Sequence, residues 1–266
     1  MAALFVSDLH LDAGAPAAIE QFLEFLAGAA ARAETLYILG DLFESWIGDD
    51  DPDPEKARVC RALRSLGERG VPCFVLHGNR DFLLGDEFCE RTGSVLLPDP
   101  VVVELAGERV LLTHGDALCT DDPAYQELRS AVRSPAWQRR FLALPVEVRA
   151  GLAAQARAGS QSHTRRTVQA IMDVNEQAVA AAFRATGTRR IIHGHTHRPG
   201  IHEGLLDDAA VHRIVLGAWY EQGSYLAVQD GRYTLGEIPR RGVTHPDAPA
   251  AATTPPRGLE PGDCAR

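Results

Sequence analysis

Short apolar runs alternate with amphipathic stretches along the first third of the chain. "ALFVSDLH" is a β-rich run that ends in polar residues. In "APAAIEQFLEFLAGAAARAE", Ile19, Phe22, Leu23 and Leu26 recur at helical spacing and predict an amphipathic helix. "TLYILGDLF" and "VPCFVLHGN" read as further strands. Between them, "DPEKARVCRALRSLGERG" puts Val59, Leu63 and Leu66 on one helical face, with Gly70 as its stop. Strands alternating with helices predict βαβ units and a sheet covered on both faces, an α/β chain.

After residue 93 the rhythm changes. "SVLLP", "VVVEL" and "RVLLTHGD" read as strands with short links, the last two joined by the hairpin-like "AGE". More strands are expected at "RRIIHG", "HRIVLGAW", "SYLAVQ" and "RYTLGEI", and the stretch from about 120 to 186 between the two groups reads as helical. The expected architecture is two sheets sandwiched together with outer helices and a helical insertion, one domain over residues 1–241. Residues 242–266, rich in Pro, Ala and Gly, are expected to form a disordered tail.

Charge and cysteine usage narrow the classes. The net charge of −9 argues against a protein that wraps nucleic acid by general electrostatics. It is unevenly spread: residues 117–170 hold eight arginines against four acids. The five cysteines (60, 73, 89, 119, 264) form an odd set without a C-x-x-C pair, which suits a reducing cytosol better than a disulfide framework. "MAALFVSDLH" meets Asp8 after a short apolar run, so neither a signal peptide nor a spanning helix is expected. The expected location is the cytosol, with peripheral membrane contact left open.

Candidate chemistry lies at strand ends. Asp8 and His10 close "SDLH", Asp41 follows in "LGDLF", Asn79 in "HGNRD", His114 in "THGD", and His195 and His197 in "GHTH". In α/β sheets ligands gather at the carboxyl ends of strands. On an extended segment residues i and i+2 share a face, so D-x-H and H-x-H can each grip one ion. Imidazole with carboxylate suits Mn, Fe, Zn or Ni, and seven such groups exceed the needs of one ion. Two ions about 3.5–4 Å apart, sharing a carboxylate, would use them all and suit in-line displacement at phosphorus. One isolated D-x-H is more often a solvated turn, but the full ordered set is hard to attribute to chance. His77 and His193, in the same strands, read as packed histidines or as histidines that support the ligands from behind, and His163, His202, His212 and His245 as surface residues.

The set D-x-H, G-D, G-N-R-D, H and G-H-x-H resembles the signature of the calcineurin-like metallophosphoesterase superfamily over roughly residues 1–240. The resemblance implies its sandwich of two mixed β-sheets flanked by helices. It puts Asp8, His10, Asp41 and His197 on one metal, and Asn79, His114, His195 and a bridging Asp41 on the other. Water activated by both ions would be the nucleophile.

The residue after the Asn is usually His in the superfamily, and here it is Arg80. Guanidinium is a poor general acid and a good bidentate clamp for phosphate. That suits a leaving group that is already a weak base, as a phosphate leaving a pyrophosphate is. A surface ion pair with Asp81 is the bland alternative for Arg80.

"GNRD", "GDLFESWIGDD" and "AIMDVN" together narrow the resemblance to the pyrophosphatases of lipid A biosynthesis that cleave UDP-2,3-diacylglucosamine. That family implies water attack on the α-phosphorus, release of UMP and 2,3-diacylglucosamine 1-phosphate, two Mn²⁺ ions, and a helical lid where residues 120–186 lie. It implies catalytic roles for Arg80 and His195 and substrate contacts from Asn79, Arg80, Asp122, Ser160 and His195. Thr164 and Thr167 stand where the family commonly has Asn and Lys; threonine keeps hydrogen bonding but not the lysine's charge, for which Arg165 or Arg166 could compensate. The implied partner is a lipid-linked UDP-sugar met at the cytoplasmic face of the inner membrane, with no protein partner required.

Two other readings stand beside this one. A dinuclear phosphoesterase for a soluble nucleotide or dinucleoside polyphosphate would not need an apolar trough. A scaffold that keeps the fold without the chemistry would have lost metal ligands, and none of the seven is missing.

Overall fold

The computed structural model describes residues 2–166, 173–220 and 222–239, with side chains from 160 to 166 outside the description. The N-terminal strands β1 (Ala3–Val6), β2 (Thr35–Leu39), β3 (Cys73–Leu76) and β4 (Val95–Leu96) run parallel. Helices α1 (Pro16–Ala27), α2 (Pro54–Glu68) and the short α3 (Asp86–Thr92) connect them. Of two late strands, β10 (Gly223–Gln229) adds antiparallel to β1 and β11 (Arg232–Ile238) antiparallel to β10, completing a six-stranded sheet ordered β11-β10-β1-β2-β3-β4. The second sheet is ordered β5-β6-β7-β9-β8. Its members are β5 (Val101–Leu105), β6 (Glu108–Leu112), β7 (Arg190–His193), β8 (Gly200–Leu206) and β9 (Ala209–Val215). β6, β7 and β9 are parallel, with antiparallel β5 and β8 at the edges.

The two-residue period of the strands sorts side chains between layers. Phe5, Tyr37, Leu39 and Leu76 face inward and meet Val110, Leu112, Ile192 and Ile214 of the other sheet. Leu4, Val6, Leu36 and Ile38 face outward and pack under Ile19, Phe22, Val59 and Leu63 of α1 and α2. On the far side Leu111 and Ile191 pack under Phe183 of α7 (Glu176–Thr186). The result is a four-layer α/β/β/α sandwich of two mixed sheets.

The remaining helices are α4 (Pro123–Val132), α5 (Pro135–Leu142) and α6 (Val146–Arg166). Asp122 and Ser134 cap α4 and α5 through the backbone N–H of Tyr125 and Trp137. Arg149, 2% exposed, donates to the carbonyls of Ile47 and Leu144 and pairs with Asp50, fastening α6 to the loop after β2. The helical stretch expected from 120 to 186 therefore divides: α4–α6 form the insertion, whereas α7 belongs to the sandwich. Residues 167–172, with the first half of "AIMDVN", and the tail from 242 lie outside the described residues.

Candidate metal centre

The strand ends β1, β2, β3, β6 and β7 converge, and their following loops carry all seven residues expected as ligands. Backbone bonds knit these loops together: Asp8 N donates to Gly40 O, His10 N to Asp41 O, and Gly194 N to His114 O. Asp8, His10, Asp41, His195 and His197 all have positive φ, between 50° and 67°. L-residues adopt this conformation at a cost, so the surrounding contacts must hold them there. Two glycines are required by close approach. A Cβ on Gly194 would come within 2.0 Å of Ser7 Oγ and 2.2 Å of Asp8 Oδ2, and one on Gly78 within 2.1 Å of Asp41 Oδ1.

Asp8, His10 and His197 offer ligand atoms that all lie within 4.8 Å of one another, as do Asp8, Asp41 and His114. Asp41 spans both groups: Oδ2 is 3.8 Å from His10 Nε2, and Oδ1 is 3.8 Å from His114 Nε2. Asn79 Oδ1 lies 2.9 Å from His114 Nε2 and 2.9 Å from His195 Nδ1. The structure thus brings the seven residues into two adjoining clusters, with Asp8 and Asp41 between them.

Electrostatics shows what this set lacks. Burial would raise the Asp8 carboxyl, but the His197 hydrogen bond and the charges of His197, His114 and His10 hold it well below the usual range. Burial raises Asp41, and the charges of Asp81 and Asp8 add to it. Burial also works against a charged His114, yet Asp41, Asp8 and Asp116 lift it to about 9. His195 is pushed down to about 3 by burial and by His114. Two buried carboxylates thus demand nearby positive charge, which protonated imidazole supplies here and divalent cations would supply better. The donor set of carboxylate, imidazole and one neutral amide oxygen fits a pair of such cations.

Arg80 lines a cavity of about 820 Å³. Its backbone N–H donates to Asp41 Oδ1 at 2.8 Å, and its carbonyl accepts from Trp46 N. Asp81 is fully buried and makes no surface pair: its carboxylate accepts from the N–H groups of Gly78, Asp41, Leu42 and Phe43. The cavity runs from Asn79, Arg80 and Tyr125 to Trp137, Phe141, Leu144 and Leu152 of the insertion, with Arg133, Arg140 and Arg157 beside them. Asp122 caps α4 and does not line the cavity. Ser160, Thr164, Arg165, Arg166 and Thr167 cannot be placed, because their side chains fall outside the described residues.

Three further residues belong to the site. Glu44 Oε2 lies 2.8 Å from His10 Nδ1. Tyr220 stacks on the His10 ring with centroids 5.2 Å apart. Asp116, fully buried, gathers Tyr125 Oη, Arg129 and Arg133, tying α4 to the loop of His114. Glu44 and Asp116 stand in the quoted segments "GDLFESWIGDD" and "THGD", where nearness to ligands was the available signal. Of the histidines outside the ligand set, His77 bonds to Leu84 O and His193 to Gly194 O, both packed as expected.

This fold and this convergence of ligands define a calcineurin-like phosphoesterase. Residues 1–199 match the model of the calcineurin-like phosphoesterase family. Members use a dinuclear metal site, and the chain is a metal-dependent hydrolase. More narrowly, the chain belongs to the UDP-2,3-diacylglucosamine hydrolase family. The protein of that name from Escherichia coli O81 (strain ED1a) is 51% identical over 228 residues, 86% of this chain and 95% of its own. The one from Escherichia coli K12 is 50% identical over the same shares. Among solved structures, an archaeal phosphodiesterase covers 90% of this chain and 99% of its own at 14% identity, with a TM-score of 0.45.

Proposed function

We propose that this chain hydrolyses the pyrophosphate bond of UDP-2,3-diacylglucosamine, giving UMP and 2,3-diacylglucosamine 1-phosphate, by water attack on the α-phosphorus. The observation that carries the substrate is the cavity. It joins the proposed ligand Asn79 and the cation Arg80 to an apolar wall of Trp137, Phe141, Leu144 and Leu152. A UDP-sugar alone needs no such wall, whereas each acyl CH₂ buried there contributes about 0.8 kcal/mol.

Asp8, His10, Asp41 and His197 would hold one ion, and Asn79, His114, His195 and the shared Asp41 would hold the other. When bound, the two ions, in our reading Mn²⁺, polarise phosphoryl oxygens and acidify water. The chain's own residues orient the rest. Arg80 clamps non-bridging phosphate oxygens in two-pronged fashion and donates no proton in the reaction. Its backbone N–H on Asp41 Oδ1 keeps clamp and shared carboxylate in register. His195 lies with Nδ1 on Asn79 Oδ1 and its ring 6.0 Å from that of Tyr125, which lines the cavity. The phosphate departs as a weak base, so no general acid replaces the missing histidine. Asp122 and Ser160 are assigned to the sugar by the family resemblance, Asp122 from outside the cavity's lining.

The unit is residues 1–241, with α4–α6 as lid. No helix among the described residues is long and apolar enough to cross a membrane. The lid exposes Leu128, Leu142, Val148 and Leu152 among arginines, which suits peripheral contact with the anionic inner face of the membrane. Metal-loaded protein should turn over UDP-2,3-diacylglucosamine at least 100-fold better in kcat/KM than unacylated UDP-glucosamine. Equal turnover of both, or preference for a dinucleoside polyphosphate without detergent, would replace this reading with the soluble-nucleotide one.

A further inference from the structure

Beyond Leu39, the chain after β2 continues beside the chain after β1. Leu11 N donates to Leu42 O, Leu11 and Phe43 form a parallel bridge, and Glu44 N donates back to Leu11 O. This run of bonds delivers the Glu44 side chain to the ring of His10. Its Oε2 lies 2.8 Å from His10 Nδ1, while His10 Nε2 faces Asp41 at 3.8 Å and His197 at 3.3 Å. The other oxygen, Oε1, lies 3.3 Å from Nε of Arg157 on α6. The same guanidinium reaches Asp12, 3.3 Å away, in the loop that carries His10. Glu44 and Arg157 both line the cavity, and their side chains are 16% and 32% exposed.

We propose that Glu44 is a positioning residue with two duties: it orients His10 for its metal ion and receives the lid helix through Arg157. The proposal rests on the dinuclear reading above. A neutral imidazole held with Nδ1 beside a carboxylate keeps its proton on that nitrogen and presents Nε2 as a lone pair, which is the form a cation takes. Outer carboxylates of this kind typically carry about 10–100-fold in metal affinity or activity. One carboxylate serving both groups makes the docking of α6 sensitive to whether His10 is aligned. An ion pair with this much solvent contact is weak, so the coupling is graded and the lid stays free to open.

The test is a titration of metal-free protein with Mn²⁺, following free ion by electron paramagnetic resonance, together with hydrogen exchange of residues 146–159. Wild-type protein should bind two ions, and their binding should slow exchange in α6. Glu44→Ala should weaken one of the two ions by about 10–100-fold. Glu44→Gln keeps an acceptor for His10 and should recover most of that affinity, but not the slowed exchange. Arg157→Ala should bind both ions within twofold of wild type while losing the slowed exchange. Wild-type affinity in Glu44→Ala, or slowed exchange persisting in Glu44→Gln, overturns the proposal. Wild-type protein that binds fewer than two ions would instead overturn the dinuclear reading. Glu44→Gln and Arg157→Ala serve as the readable variants if Glu44→Ala does not fold.

Discussion

The Nε2 atoms of His10 and His197 face each other 3.3 Å apart. Both also approach Asp8 Oδ1, at 3.9 and 3.2 Å. Two imidazole lone pairs this close call for a proton or a cation between them, and the family's dinuclear metal site makes it a cation. Binding that favours the folded state stabilises by mass action, about 2.7 kcal/mol at 100 times the dissociation constant. For a chain of this size each kcal/mol shifts Tm by about 2–4 °C. Saturating Mn²⁺ should therefore raise Tm by roughly 5–10 °C over chelator-treated protein. His197→Ala should lose much of that gain, read by differential scanning calorimetry.

In the proposed mechanism Arg80 acts on the phosphate and not on the fold. Arg80→Ala should lower kcat by roughly 10²–10³-fold, the range for removing one preorganised donor to developing charge. Arg80→His should fail to restore it on the pyrophosphate substrate, because the two-pronged clamp is lost and no acid is needed. Steady-state kinetics on the two variants, with Tm as the control, reads both.

Asp81 is the joint between two ligand loops, since one buried carboxylate accepts from the loop of Asn79 and the loop of Asp41. Asp81→Asn turns an NH₂ group toward backbone N–H donors and leaves them unsatisfied, a cost of about 1–3 kcal/mol. Tm of the metal-free protein should fall by several degrees, and Mn²⁺ affinity should fall with it.

Leu152 lines the cavity while 44% exposed, so a polar change there spares the fold. Leu152→Glu should raise KM for the diacylated substrate about tenfold or more with kcat little changed, the signature of lost uniform binding. Activity on an unacylated analogue should be unaffected.

Much of the sandwich is legible in the residue pattern because its strands are short apolar runs bounded by Gly and polar ends. β8 is not, since Gly200, His202, Glu203 and Gly204 break any alternation on a strand that is mostly exposed at a sheet edge. The short α3 escapes for the same kind of reason: only Phe88 and Thr92 are buried, too few for a period. The expected helix over 15–34 ends at Ala27, where Gly28 closes it and a 3₁₀ turn follows.

The ligands announce themselves as polar residues at strand ends, but their backbone does not. Five left-handed residues are a product of how the loops cross, and side-chain pattern carries no trace of φ. Glu44 stands near Asp41 in sequence, but its contact with His10 is not legible there, because it depends on the Leu11–Phe43 bridge between segments 32 residues apart. The division of the insertion from α7 likewise needs the contact of Phe183 with Leu111 and Ile191.

The most direct test of the account is hydrolysis of UDP-2,3-diacylglucosamine in H₂¹⁸O, with Mn²⁺ or with chelator, reading both products by mass spectrometry. The account predicts metal-dependent turnover with one ¹⁸O in UMP and none in the sugar phosphate. Label in 2,3-diacylglucosamine 1-phosphate would contradict attack on the α-phosphorus, and no turnover by metal-loaded protein would contradict the substrate.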